Sequence, residues 1–250
     1  MKTKTKKVII IITAVILILA IGFFIGYLAY YMNIGKFNAE KYKQQDSFVQ
    51  DVDYAENPID FAALTAQNPD IYAWIIVPGT RIDYPIVQPF SEDDDYYLTH
   101  DIYGKEIKSA AIFTEKLNSI YFDDRNTVIY GHNMLNGTMF RDLRKFRDKA
   151  FFNKTPYFYI YTKGHKFTYK IFSAYRYDKR HILNSFDFSD ISVYKKYLEY
   201  ATNPQSAVKN VRKDVSVTEN DCIVTLSTCM TNGKYRYLVQ GVLISDEPTK

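Results

Sequence analysis

The sequence predicts a mainly β domain, a closed or nearly closed β-barrel decorated by helices, behind one N-terminal transmembrane helix. Three observations carry that prediction. Many short runs rich in Val, Ile, Thr, Tyr and Phe are separated by turn residues at irregular spacing, which favours a barrel over a parallel sheet. Aromatic residues reach 16%, with 23 Tyr and 17 Phe, and such side chains suit pleated, partly wet surfaces. Val8 to Met32 is a run of 25 residues without a charge, long enough to span a bilayer as a helix.

The chain of 250 residues is enough for one large domain and an accessory segment, and 47% hydrophobic residues can build a core. The net charge of +4 equals the contribution of Lys2, Lys4, Lys6 and Lys7, so the rest balances to zero. That removes the electrostatic case for nucleic acid. Positive residues stay cytoplasmic, which predicts residues 1–7 as a cytoplasmic tail, 8–32 as the anchor, 33–56 as a polar stalk and 57–250 as an extracellular domain. The protein is thus expected in the plasma membrane as a single-pass chain. A cleaved signal peptide fits less well, because the apolar run exceeds the usual length and no A-x-A site follows.

The elements follow in order. Asn57-Pro58-Ile59-Asp60 reads as a helix start, with Asn at the N-cap and Pro in the first turn; Phe61 and Leu64 face inward, and the helix stops near Asn68-Pro69. Ala73–Val77, the turn Pro78-Gly79-Thr80 and Arg81–Val87 suggest a hairpin, with Pro85 marking an edge or bulge. Ser91–Asp95 is acidic but lacks the calcium-loop spacing and its glycine, so it reads as solvated surface. Ala110–Thr114 and Thr127–Tyr130 are short strands. Met139, Leu143 and Phe146 mark a short amphipathic helix. Tyr157–Thr162 and Lys166–Tyr175 flank the turn Lys163-Gly164-His165. Ile191, Tyr194, Leu198 and Ala201 give a helix stopped by Pro204, inside a long connection from Arg176 to Val217.

The last hairpin carries the chemistry. Asp221–Cys229 reads as a buried strand, Asn232-Gly233 as a tight turn, and Tyr235–Ile244 as the returning strand. A thiol thus ends one strand and Arg236 starts the next. Two cysteines make no disulfide framework, and Cys222, at odd separation from Cys229, reads as core. A cysteine nucleophile needs a histidine. His165 and His181 read as surface residues, and His100 beside Asp101 stays open. His132 follows a strand and a glycine in Val128–Asn133, a boundary where a rigid strand can fix a catalytic group.

Thr225-Leu226-Ser227-Thr228-Cys229, the following Arg236 and the upstream Tyr130-Gly131-His132-Asn133 resemble the signature of sortases, membrane-anchored transpeptidases of Gram-positive bacteria. Serine between leucine and threonine is similar to class B in particular. The resemblance extends through Ala73-Trp74-Ile75, Gly79–Gln88, Tyr96-Tyr97-Leu98 and Met139-Phe140, covering roughly residues 58–244. It implies an eight-stranded β-barrel with peripheral helices, including one at about Ser189–Thr202. It also implies a mechanism without a cofactor or metal. Cys229 attacks a threonine carbonyl in a C-terminal sorting motif, His132 moves protons on the two amines, and Arg236 stabilises the oxyanion. The partners implied are surface proteins bearing the motif and an amine of a cell-wall peptidoglycan precursor.

Ser227, which shares a strand face with Cys229, and Leu98, which matches a groove residue of the family, are expected to bind substrate. Asn133 beside His132 is a further candidate. Tyr177 and Ile182, on the long connection, are expected to face the peptide across a groove of apolar character. Only six residues separate Cys229 from Arg236, a short loop for class B. Alternative readings are a pilin-polymerising sortase, a plain hydrolase and a non-catalytic, membrane-anchored barrel that binds a wall component.

Overall fold

The computed structural model describes residues 2–43, 54–229 and 234–250; the side chains of residues 2–11 and of Cys229 lie outside that description. The Asn232-Gly233 turn falls outside it too. Helix α1 runs Lys2–Asn33, and its stretch Ile12–Asn33, 22 residues of mean hydropathy 2.6 with none of it buried, is long and apolar enough to cross a membrane.

The residues after α1 do not form a free stalk. Ile34 is buried, the Phe37 ring packs 5.5 Å from those of Tyr42 and Trp74, and Lys43 pairs with Asp83 at 2.7 Å. The expected stalk is thus corrected for 34–43: aromatic residues scattered in a polar run dock on the barrel. Residues 44–53 lie outside the described residues.

Helix α2, Phe61–Gln67, starts one turn later than predicted. Asp60 is its N-cap, accepting from the Ala63 N–H, while Asn57 donates to the Thr162 carbonyl and to Thr249. Strands β1 (Ile71–Ile76) and β2 (Asp83–Val87) form the expected hairpin. Pro85 lies opposite Trp74 and not at an edge; the irregularity is at Ile71/Ala73 in β1, and β3 begins to pair only at Ile86. Next come β3 (Ile112–Phe113), β4 (Asn126–Gly131) and a 3₁₀ helix, Phe140–Arg147, where the spacing predicted an amphipathic helix. Helix α3 is Lys149–Lys154, and β5 (Tyr157–Thr162) and β6 (His165–Asp178) are a hairpin with Thr162 opposite His165. The long connection holds α4 (Ile182–Ser185), α5 (Ile191–Thr202) and a short strand, β7 (Lys209–Val211), that the sequence reading did not anticipate. Strands β8 (Ile223–Cys229) and β9 (Tyr235–Pro248) complete the chain.

The strands pair in the order β5-β1-β2-β3-β4-β8-β9-β6, and β5 also pairs with β6, which closes an eight-stranded barrel; β7 is added outside, on β6. Closure removes the open edges that would otherwise invite pairing with other chains. One apolar cluster draws on the closing strands, including Ile75, Ile86, Ile129, Ile160, Leu226 and Val239, and so fills the barrel. Phe140, Leu143 and Phe146 of the 3₁₀ helix join it. A second cluster lies on the outer face, where Tyr194, Tyr197, Leu198 and Ala201 of α5 cover Ile223, Leu238 and Tyr175.

Candidate active site

Three strands meet at one rim of the barrel. β4 and β8 run parallel, with Gly131 opposite Thr228, and β9 returns antiparallel with Arg236 opposite Cys229. His132 is one residue beyond Gly131, so the same register brings it level with Cys229. Adjacent strands are about 4.8 Å apart, which makes the backbones of His132, Cys229 and Arg236 successive neighbours. The period of two assigns positions 223, 225, 227 and 229 to one face. Ile223 belongs to the outer cluster, whereas Val224 and Leu226 belong to the interior. The site therefore lies on the outer face of the barrel wall, beside the connection that carries α4 and α5.

Local contacts fix His132. Gly131 is needed before it because a Cβ there would lie 2.5 Å from Ile112 Cδ1 and 2.7 Å from the Phe140 ring. The Phe140 N–H donates to the His132 carbonyl at 2.9 Å. His132 Nε2 lies 2.8 Å from the Leu98 carbonyl oxygen. A carbonyl only accepts, so this bond puts the proton on Nε2 and, in the neutral ring, leaves the lone pair on Nδ1. Leu98 is held in turn by Tyr97, whose buried hydroxyl donates to Asp70 at 2.8 Å and accepts from Asn68 at 2.9 Å. The Leu98 side chain is 46% exposed.

Ser227 and its cross-strand partner Tyr130 are both buried, and neither hydroxyl has a hydrogen-bond partner among the described residues. Burial pushes the Tyr130 phenol up, the Glu115 charge adds to this, and the Arg236 charge pulls it back. Glu115 is thus a further charged group near Arg236. Its carboxyl is raised by burial, against the opposing hydrogen bond of His181, whose Nε2 lies 2.7 Å from Oε1. His181 Nδ1 accepts the Asn184 N–H at the start of α4, and its ring is 5.8 Å from that of Tyr130. His181 is therefore not the free surface histidine expected. It ties the long connection to the loop after β3.

A second tie is uncharged. Gln240 donates to Tyr197 of α5 and to Thr225 of β8, both at 2.8 Å, and accepts from Tyr175 and Ser173 of β6. Thr225 donates onward to Asn126. This buried, largely satisfied network locks α5 over the sheet that ends in Cys229.

Other expectations are corrected. Tyr177 and Ile182 are buried in the outer cluster, not turned toward a groove, because β6 is covered on both faces and Ile182 plugs α4 into that cluster. The Asn133 side chain accepts from Arg141 at 3.0 Å, so it serves the loop after His132. Cys222 is half-buried, with Sγ 3.7 Å from the Asp123 carbonyl, and is not core. His165 is exposed, as expected of a surface histidine, and pairs with Asp246, and His100, which the sequence left open, stacks on Tyr96. Among the described residues no group of three or more His, Cys, Asp or Glu side chains could hold a metal ion.

A family model described as a sortase domain matches residues 75–244. The chain belongs to the sortase family. It is 35% identical over 181 residues to sortase B of Listeria monocytogenes, covering 71% of each chain. Sortase B of Staphylococcus aureus is 30% identical over 192 residues, 77% of this chain and 76% of that one. Among solved structures, Clostridium perfringens sortase B superposes with a TM-score of 0.66 at 35% identity, over 74% of this chain and 99% of that one. The S. aureus sortase B–substrate complex gives 0.66 at 28% identity, over 74% and 85%. This sortase is thus most similar to class B members, and the family supports a role in anchoring proteins to the cell wall.

Proposed function

We propose that this sortase is a cysteine transpeptidase that cleaves a C-terminal sorting motif of surface proteins after threonine and joins the threonine carbonyl to an amine of a cell-wall precursor. The observation that carries the reading is the β4–β8–β9 register, with His132 one residue past β4, Cys229 at the end of β8 and Arg236 opposite it in β9. The Cys229 thiol gives its proton to the bare His132 Nδ1 as Sγ attacks the threonine carbonyl carbon, and the oxyanion is held by the Arg236 guanidinium, a fixed, always charged fork. The C–N bond breaks, and His132 gives a proton to the leaving amine from Nδ1, the nitrogen not bonded to Leu98. The product is a thioester. An incoming amine attacks it, loses its proton to His132, and the thiolate leaves. Leu98, exposed beside the imidazole, is the substrate contact the geometry favours, whereas Ser227 is buried opposite Tyr130 and its hydroxyl is not presented to a peptide.

The test uses the full chain, a motif peptide and an amine acceptor. The parent is expected to yield the amide product, and a thiol reagent or Cys229→Ala to abolish it. Peptide cleavage by Cys229→Ala at the parent rate would end the reading. Release of the threonine acid at one rate with or without amine would make the protein a hydrolase instead. The span in α1 and the lysines before it support an extracellular domain. A membrane-impermeant amine reagent should label the domain on intact cells; labelling only after lysis would reverse that topology.

A further inference from the structure

Asn136 joins the apolar helix to the loop that leaves His132. Its Nδ2 donates to the Tyr31 carbonyl at 2.9 Å and to the Ile34 carbonyl at 2.7 Å. Helix α1 ends at Asn33, so these are carbonyls that a helix terminus leaves without an in-helix donor. Asn136 thus caps α1 from a loop remote in sequence. Packing supports the contact. Ile34 is buried, and Gly35 turns the chain with φ +73. A Cβ on Gly35 would lie 2.7 Å from Ser109 Cβ and 2.9 Å from Thr138 Oγ1, so the helix end fits the loop with no room for one more carbon.

The loop carries that contact inward. Asn136 Oδ1 accepts from the Thr138 hydroxyl at 2.8 Å and from the Thr138 N–H at 3.2 Å, and Asn133 pairs with Met139 across the neck. Met139 has φ 58 and ψ −136, a backbone region that a residue with a side chain keeps only when its neighbours impose it, and its N–H donates to the Tyr84 hydroxyl. The next N–H, that of Phe140, holds the His132 carbonyl at 2.9 Å. His132 and Phe140 are therefore the two feet of a short loop, and Asn136 is at its tip.

We propose that Asn136 is a positioning residue, through which the docked end of α1 steadies the loop 133–139 and holds the His132 imidazole where it exchanges protons. The inference rests on the role of His132 in the proposed mechanism. Asn136 touches no reacting atom; it acts through a contiguous chain of contacts that ends in the Phe140–His132 bond. A displacement of about 1 Å at a reacting group costs about 10²-fold in rate, so a loop that merely loosens should cost less than that.

Asn136→Asp isolates the contact. Its carboxylate still accepts from Thr138 but cannot donate to Tyr31 and Ile34. With the full chain in phosphatidylcholine nanodiscs, kcat for transfer of a motif peptide to an amine should fall about 10-fold, with KM within about twofold. Amide exchange at Phe140 should quicken about 10-fold, while β6 and β9 keep their protection. Gly35→Ala strains the same joint from the helix side and should give the same two signatures. The double substitution should be little worse than either single one, because both break one joint. Losses that multiply, kcat within about twofold of the parent in both single variants, or Phe140 exchange at the parent rate each overturn the proposal. Should Asn136→Asp lose the protection of β6 and β9, Gly35→Ala decides alone. A parent that transfers no peptide sinks the mechanism and not this proposal, which the Phe140 exchange still decides.

Discussion

His132 Nε2 and the Leu98 carbonyl oxygen are 2.8 Å apart, a bond that selects one tautomer of the imidazole. In the proposed mechanism it leaves Nδ1 as the nitrogen that exchanges protons with substrate. Nitrogen-15 spectra of the histidine-labelled protein with a neutral ring should show His132 with a protonated Nε2 and a bare Nδ1. The opposite pattern would mean that the bond to Leu98 is absent in solution and that Nε2 does the chemistry.

Arg236 lies opposite Cys229 in the β8–β9 ladder. Arg236→Lys keeps the charge and loses the planar fork. Turnover should fall about 10²-fold or more, the range for a lost oxyanion donor. Activity within a factor of about two of the parent would make Arg236 a structural residue, since such a loss is well below that range.

Gly131→Ala would press a methyl group against Ile112 and Phe140, and the Phe140 N–H holds the His132 carbonyl. The overpacking should cost about 1–3 kcal/mol in chemical denaturation. Turnover should fall roughly 10- to 100-fold as His132 shifts, with less change in KM. A stable variant of full activity would show that the wall around Gly131 yields without moving the imidazole.

Asp142 supplies a pH test. Its side chain is 5% exposed; burial pushes the carboxyl up, but hydrogen bonds from Arg81 and Lys145 outweigh this and hold it below the ordinary value. A depressed carboxyl stabilises the fold above its unfolded pKa, about 4, and that stability is lost as pH falls through the folded value. Asp142→Asn should lose about 1–2 kcal/mol at pH 7, a modest figure because Arg81 is 59% exposed. The gap to the parent should narrow below about pH 4. A gap that stays constant there would assign the effect to packing.

Much of the rim was legible because its signals are local. The β-branched run ending at Cys229, the strand and glycine before His132, and the α5 periodicity each occupy one short window and became β8, β4 and α5. What stayed hidden depends on residues distant in sequence. Alternation in β6 puts Tyr175 and Tyr177 on one face, yet it cannot say that α5 and α4 cover that face. Phe37 and Tyr42 look like stray aromatics until Trp74 is beside them. The Glu115–His181 pair joins a loop to a helix start with no motif at either end.

The parallel register of Gly131 with Thr228 has a consequence for engineering. The pairing of β4 with β8 fixes the catalytic rim, so the chain from about 178 to 217 can be exchanged as a cassette. A graft there would need to keep the apolar face of α5 over Ile223 and Leu238, the pairing of β7 with β6, and partners for Gln240, Glu115 and Arg125. Peptide preference could then be redrawn without retuning the nucleophile.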